Sequence, residues 1–272
     1  MKTLVIGAAL LACCAAAAAP HARDDAGQLV DLAQPAQRII TLAPHAAELV
    51  DAAGAGDRLV GISTATVRPP GATEVTVVGG AGALDRERLL MLQPDLVIAW
   101  RSGNRATDLA WLRTLDVPLF ISEPASLADI SRSIRAIGLL AGTSDAANTA
   151  AQAFDRAIDT PCLGLPPQPA YVSVWERPRL SLGGRHWLND VLAHAGLINV
   201  FARLDRAVIA VSDEASAAYE SLPRVSLARR FDGSEDDRLA DLLARPGPAL
   251  AQATRLLCRR SLASRGMVDR RH

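Results

Sequence analysis

Rings are scarce in this chain. Four Trp, two Tyr and four Phe make up 4% of its 272 residues, so each aromatic side chain carries unusual weight. Lysine is almost missing, since Lys2 is the only one. Neither sign of charge is in excess: 29 basic residues face 29 acidic ones, which argues against the basic face a nucleic acid requires. Of four cysteines, Cys13 and Cys14 lie in an apolar N-terminal stretch, leaving Cys162 and Cys258. These two are too few and too far apart for a metal cluster. Export permits a disulfide between them, but a pair in sequence does not establish one. The longest apolar run, Leu4 to Ala19, falls short of the roughly 20 residues a spanning helix needs.

Catalytic motifs are missing as well. There is no nucleophile elbow and no P-loop, and Gly54-Ala55-Gly56 and Gly80-Ala81-Gly82 lack the third glycine of a dinucleotide fingerprint. The histidines (His21, His45, His186, His194 and His272) have no H-E-x-x-H or C-x-x-C partner. His45, after Pro44, reads as a surface histidine at a helix start rather than a metal ligand. His186 and His194 read as one face of a single helix. Carboxylates are scattered or fall in solvated runs such as Glu235-Asp236-Asp237. Nothing in this set calls for an enzyme.

What is present is half apolar, enough to exclude disorder and to bury the cores of two domains. Lys2 followed by an apolar Thr3 to Leu11 and small residues reads as a leader over residues 1–22. Two processing routes stay open: a lipobox, Leu10-Leu11-Ala12-Cys13, with Cys13 lipidated, or ordinary cleavage near Ala19 or Ala22. Short β-rich runs (Arg38 to Leu42, Leu59 to Ile62, Val75 to Val78, Asp95 to Trp100, Val117 to Ile121) alternate with helical patterns (His45 to Ala53, Asp85 to Leu92, Asn104 to Leu115, Leu127 to Leu140). That alternation predicts a parallel, helix-covered sheet over residues 37–142. Residues 143–161 read as one long helix, Ser144 to Ile158, closed by Pro161. A second α/β lobe is expected over 170–261, with a tail at 262–272.

A weak internal echo links the halves. "LDRERLLMLQPDLVIA" (Leu84 to Ala99) and "VSDEASAAYESLPRVSLA" (Val211 to Ala228) each place a glutamate, Glu87 or Glu214, in a first helical turn, where a carboxylate is tolerated. Each then runs Pro-x-apolar into a strand. The second half has no apolar run between Ser234 to Ala244 and Ala249 to Leu257 to match Val117 to Ile121, so its sheet is one strand short.

Four stretches, "RIITLAPHAAELVDAAG" (Arg38 to Gly54), "VGIS" (Val60 to Ser63), "QPDLVIAWRSGN" (Gln93 to Asn104) and "HAGLINVF" (His194 to Phe201), carry a resemblance. Together they resemble the periplasmic cobalamin-binding members of the helical-backbone solute receptors that serve ATP-driven importers. The likeness is dense over Arg38 to Ser144 and thinner beyond. It implies an α/β fold of two Rossmann-like lobes with parallel sheets, joined by a single long helix, with a corrinoid ligand held between them and no intrinsic cofactor. It places Trp100 and Trp175 as pocket aromatics and Arg245 as a polar contact. Ala65, Asp241 and Leu242 stand at further cleft positions. Glu87 and Glu214 match the carboxylates that dock such a receptor, as a monomer, onto a permease dimer. The sequence departs from the family at Ala65, Ala81, Leu180 and Val208, which stand where rings are expected. Ala195 replaces the cysteine that would bridge to Cys258, leaving Cys162 as the one alternative. A haem or ferric-siderophore receptor is the rival reading, with Arg68, Arg101, Arg177, Arg179 and Arg185 to supply charge. Another is an exported interaction module that no longer transports.

Overall fold

The computed structural model describes residues 19–79, 83–229 and 231–266. Cys13 and Ala81 lie outside the described residues. The described chain begins with a hairpin, β1 (His21–Arg23) against β2 (Leu29–Asp31). Asp24 forms its turn, accepting from the backbone N–H groups of Ala26 and Gln28 at 2.9 and 2.8 Å, as short carboxylate side chains do in turns. Ala22 is buried in β1, so the 1–22 boundary expected for a leader cuts into a folded strand. Cleavage at Ala19 leaves the hairpin whole; cleavage at Ala22 does not.

The first lobe is a five-stranded parallel sheet of β3 (Ile39–Thr41), β4 (Leu59–Ile62), β5 (Thr76–Val77), β6 (Leu96–Ala99) and β7 (Leu119–Ile121), in the order β5-β4-β3-β6-β7. Its helices are α1 (Pro44–Ala52), α2 (Arg86–Met91), α3 (Ala106–Leu112) and α4 (Leu127–Ala141). Parallel sheets are covered on both faces, so their strands lose the alternation of half-exposed ones; all four residues of β6 are buried. The hairpin guards the sheet's open edge. Asp25 donates its N–H to the Ile121 carbonyl at 2.9 Å, and the Asp24 carboxylate accepts from Ile121 N at 3.1 Å. A capping box formed by Ser126 and Asp129 starts α4.

The linking helix, α5 (Ser144–Ile158), buries Ala147, Ala151, Phe154 and Ile158, the three- and four-residue spacing of one helical stripe. A Cβ at Gly138 of α4 would overlap the Ala147 methyl, so glycine there lets the two helices approach closely. One continuous core joins Ile39, Leu96 and Phe120 of the first lobe, through Ala151 and Phe154, to Val172, Leu192 and Leu257 of the second.

The second lobe contains β8 (Gln168–Ser173), β9 (Trp175–Glu176), β10 (Arg179–Leu182), α6 (Leu188–His194), β11 (Leu197–Asn199), β12 (Val208–Ala210), α7 (Asp213–Ala217), β13 (Arg224–Ser226), α8 (Glu235–Leu242) and α9 (Leu250–Ser264). Its parallel sheet has three strands, β11-β8-β13, and an antiparallel sheet β12-β10-β9 lies beside it. Residues 243–249, between α8 and α9, form a turn, whereas β7 separates α3 from α4 in the first lobe. The strand expected to be missing between these helices is absent among the described residues, and the second parallel sheet is smaller than the first by two strands rather than one, three against five. His186 precedes α6 rather than sharing it with His194; it sits against the Trp187 ring at 5.0 Å. Cys162 and Cys258 form a disulfide, S–S 2.10 Å, that ties the segment after α5 to α9. Buried Ala195 precedes Gly196, where an added Cβ would lie 3.3 Å from Cys162 Cβ.

Candidate ligand cleft

Trp100 directly follows β6, at the carboxyl edge of the parallel sheet, where such sheets place ligands. The turn behind it is tightly specified. Trp100 N–H donates to Asn104 Oδ1 at 2.7 Å, Asn104 N–H returns to the Trp100 carbonyl at 2.8 Å, and Asn104 Nδ2 reaches the Leu42 carbonyl at 2.9 Å. Ser102 donates N–H and Oγ–H to the Glu123 carboxylate at 2.8 and 2.7 Å. The indole packs directly on Gly103, where any Cβ would fall among its ring atoms. On its edge stands His45, ring centroids 5.3 Å apart and planes at 84°. The half-buried indole is therefore held from below and from the side.

His45 is not the surface residue its sequence context implies. It is 1% exposed, and Nε2 shares a hydrogen bond of 3.1 Å with Ser122 Oγ. Burial lowers its pKa to about 4, opposed by the Ser122 contact and aided by the Arg245 charge. The imidazole is neutral at ordinary pH and serves as a wall beside Trp100.

Arg245 lies in the turn between α8 and α9 of the second lobe, yet its Nε donates to Glu48 Oε1 of α1 at 2.8 Å. The pair clasps lobe to lobe. Burial raises the Glu48 pKa, while Arg245 opposes that shift. Gly247 packs against the Glu48 carboxylate on the other side. Glu48, Asp51, Arg68, Asp241 and Arg245 line a concavity of about 470 Å³ with residues of both lobes. Two expected cleft residues, Asp241 and Arg245, thus come together. Leu242 packs against the core, and Ala65 is exposed on the turn after β4. Glu48 and Ser122 escaped sequence reasoning, because neither their type nor their spacing betrays a partner 197 or 77 residues away.

In the second lobe the antiparallel sheet gathers three positions of interest. Trp175 is directly opposite Leu180, and Val208 is opposite Leu182 one strand further across. Trp175 is 57% exposed, with its indole N–H fixed on the Arg177 carbonyl at 2.9 Å. Val208 lines, with Phe201, Leu204 and Ile209, a largely apolar concavity of about 770 Å³. The wall here is mostly aliphatic, with the Phe201 ring and the charged Asp205 and Arg206 also in its lining. Of the rim arginines, Arg179 pairs with Asp213 at 2.5 Å, Arg185 with Asp205 at 3.0 Å, and Arg68 donates to the Thr73 carbonyl.

The internal echo has a geometric counterpart. Asp85 caps α2 by accepting from Arg88 N, and Ser212 caps α7 by accepting from Ala215 N. Each cap thus receives the third N–H of its helix, and Glu87 and Glu214 both occupy the second helical position, exposed. The strands that follow, β6 and β13, flank β3 and β8, the central strands of their parallel sheets.

A family model described as periplasmic binding protein matches residues 39–255. The chain belongs to that family. The vitamin B12-binding protein of Vibrio cholerae serotype O1 is 35% identical to it over 171 residues, 62% of this chain and 62% of the relative's own length. The chain therefore spans less than two thirds of that relative. The vitamin B12-binding protein of Vibrio parahaemolyticus serotype O3:K6 is 32% identical over 206 residues, 75% of this chain and 74% of the relative. Among solved structures, the periplasmic vitamin B12 binding protein BtuF of Vibrio cholerae superposes with a TM-score of 0.73 at 29% identity, covering 85% of this chain and 98% of that one. Periplasmic haem-binding proteins share the fold at 24% and 23% identity, a likeness of architecture alone. The family is one of solute-binding proteins, and its name places its members in the periplasm.

Proposed function

We propose that this periplasmic binding protein captures a corrinoid, cobalamin or cobinamide, between its lobes and delivers it to the permease of an ATP-driven importer. The observation that carries this reading is the Trp100 turn, an indole oriented in advance by Gly103, His45 and Asn104. A corrin is a broad, partly apolar disc, and a ring already immobilised stacks on it at little entropic cost. Trp175 offers a second ring, Arg245 and Asp241 polar contacts to the amide edge, and Ala65 and Leu242 apolar surface. The relatives known as vitamin B12-binding proteins support the ligand class. On this reading the corrinoid is cargo, the chain has no resident cofactor and works as a receptor, not an enzyme.

In the same proposal, Glu87 and Glu214 present matched carboxylates to arginines of the two permease subunits, steering and registering association more than adding affinity. The N-terminal segment acts as the export leader, cleaved near Ala19 so that the hairpin stays whole, with Cys13 as a lipid anchor where the lipobox is used. The receptor is a monomer and binds no nucleic acid. A siderophore receptor requires free cations at the rim, and three of the five arginines that could supply them are already engaged.

Tryptophan fluorescence of the mature protein, titrated with cobalamin, cobinamide, haem and a ferric siderophore, tests the ligand. Quenching by the corrinoids alone, lost in Trp100→Ala, is the expected outcome. A folded protein that responds to none of the four sinks the receptor reading. For docking, the Glu87→Ala/Glu214→Ala double variant should keep its corrinoid titration and lose permease association in a pull-down. Unchanged association refutes that role.

A further inference from the structure

Away from Trp100 and the Glu48–Arg245 clasp, a groove of about 410 Å³ runs between the end of α5 and the face of α9. Three arginines line it: Arg156 in the last turn of α5, and Arg255 and Arg259 one turn apart on α9. All three are exposed, and none has an ion-pair partner among the described residues. Their neighbour Arg260 shows what α9 does when acids are in reach, holding Glu235 at 3.2 Å and Asp236 at 2.6 Å. Among the described residues, Asp159 is the one carboxylate lining the groove. Its floor includes Cys258, pinned by the disulfide to Cys162, so the two helices cannot drift apart to dilute the charge.

The charge count selects the ligand. Three guanidinium groups are set against Asp159 and the carbonyl end of α5, the latter worth about half an elementary charge. A surplus of roughly 1.5 positive charges remains, and Arg255 and Arg259, four residues apart on one helix, repel each other. A phosphate group carries about −1.5 to −2 at neutral pH, and guanidinium forks match its oxygens geometrically. Half-buried Gln252 offers a neutral donor beside them.

We propose that this groove is a second binding site, separate from the corrinoid cleft, that takes a phosphate group. The phosphate belongs either to a small soluble phosphoester or to the headgroup of an anionic phospholipid. Two arms distinguish the sources: calorimetric titration of the mature protein with glycerol phosphate, and co-sedimentation with phosphatidylglycerol vesicles against phosphatidylcholine vesicles. Binding in the first arm only identifies a soluble ligand; binding in the second only identifies the membrane surface. Binding in both supports the site as a general phosphate receptor. Each Arg→Gln change should weaken binding about fivefold, the scale of an exposed charge-assisted contact, and added salt should weaken it further. Arg255→Gln/Arg259→Gln should leave corrinoid quenching intact. A folded protein that binds neither probe, or a double variant that binds as well as the parent, overturns the proposal.

Discussion

Replacing Gly103 by alanine puts a methyl where the Trp100 ring now lies. The added carbon falls among Cε3, Cζ3 and Cδ2 of the indole, far inside ordinary contact of about 3.5–4.0 Å. The ring must retreat by about 2 Å to clear it. Retreat toward His45 is blocked, because that side chain is buried and tied to Ser122. The indole can only swing outward, giving up its edge contact with His45, worth about 0.5–1.5 kcal/mol, and some of its burial. Overpacking generally costs about 1–3 kcal/mol; a half-buried ring with solvent on one side belongs at the lower end, so about 1–2 kcal/mol is expected here. Corrinoid affinity should fall by about tenfold, equivalent to 1.4 kcal/mol, because the stacking surface is no longer oriented. Urea melts and fluorescence titrations measure the two effects independently. A Gly103→Ala protein with the parent's melting midpoint and the parent's corrinoid titration would refute the clamp.

Three other outcomes follow from the geometry. In a double-mutant cycle on Glu48→Gln and Arg245→Ala, the part-buried clasp should show a coupling of about 1 kcal/mol, and additive losses would show that the lobes do not depend on it. Acid should destabilise the fold through His45 and His186, each lowered by burial to about 4. Their contribution is intact above the unfolded value near 6.5 and is lost as pH falls toward 4, by about 3 kcal/mol per residue at most. His194, raised by its bond to Asp190, works the other way, stabilising below 6.5 and fading as pH rises through its folded pKa. Urea midpoints across pH 4–8 should therefore drop on the acid side less in His45→Gln than in the parent, and parallel curves would contradict this. Cys162→Ala/Cys258→Ala opens a closure of 96 residues and should cost about 2–5 kcal/mol, checked by denaturant melts with and without reductant.

Much of the first lobe was legible because its elements announce themselves locally. Asp85 caps a helix by type and position, β6 is an uninterrupted apolar run, and α5 carries a clean stripe that ends before Pro161. The hairpin and the antiparallel sheet were not legible, since strands such as His21–Arg23 and Trp175–Glu176 are polar and largely exposed and lack the uninterrupted apolar runs of the first lobe. The cleft was half legible. Trp100 stood out by rarity, but what fixes it did not: His45 is buried by the tertiary packing of α1 against Ser122, which no pattern around Pro44 reveals. Arg245 is marked as a polar contact only by the family resemblance, and its partner across the lobes becomes visible only in three dimensions.

The core that threads through α5 bears on how this molecule comes apart. Because Ala151 and Phe154 belong to the same apolar cluster as Ile39 and Leu257, neither lobe can melt and leave the other with a closed interior. The protein should therefore unfold in a single step, like a domain of one body. The same continuity explains how the second lobe survives with so small a sheet. Its interior is completed by a helix that the first lobe keeps in place, so strands were dispensable there in a way they are not in the first lobe.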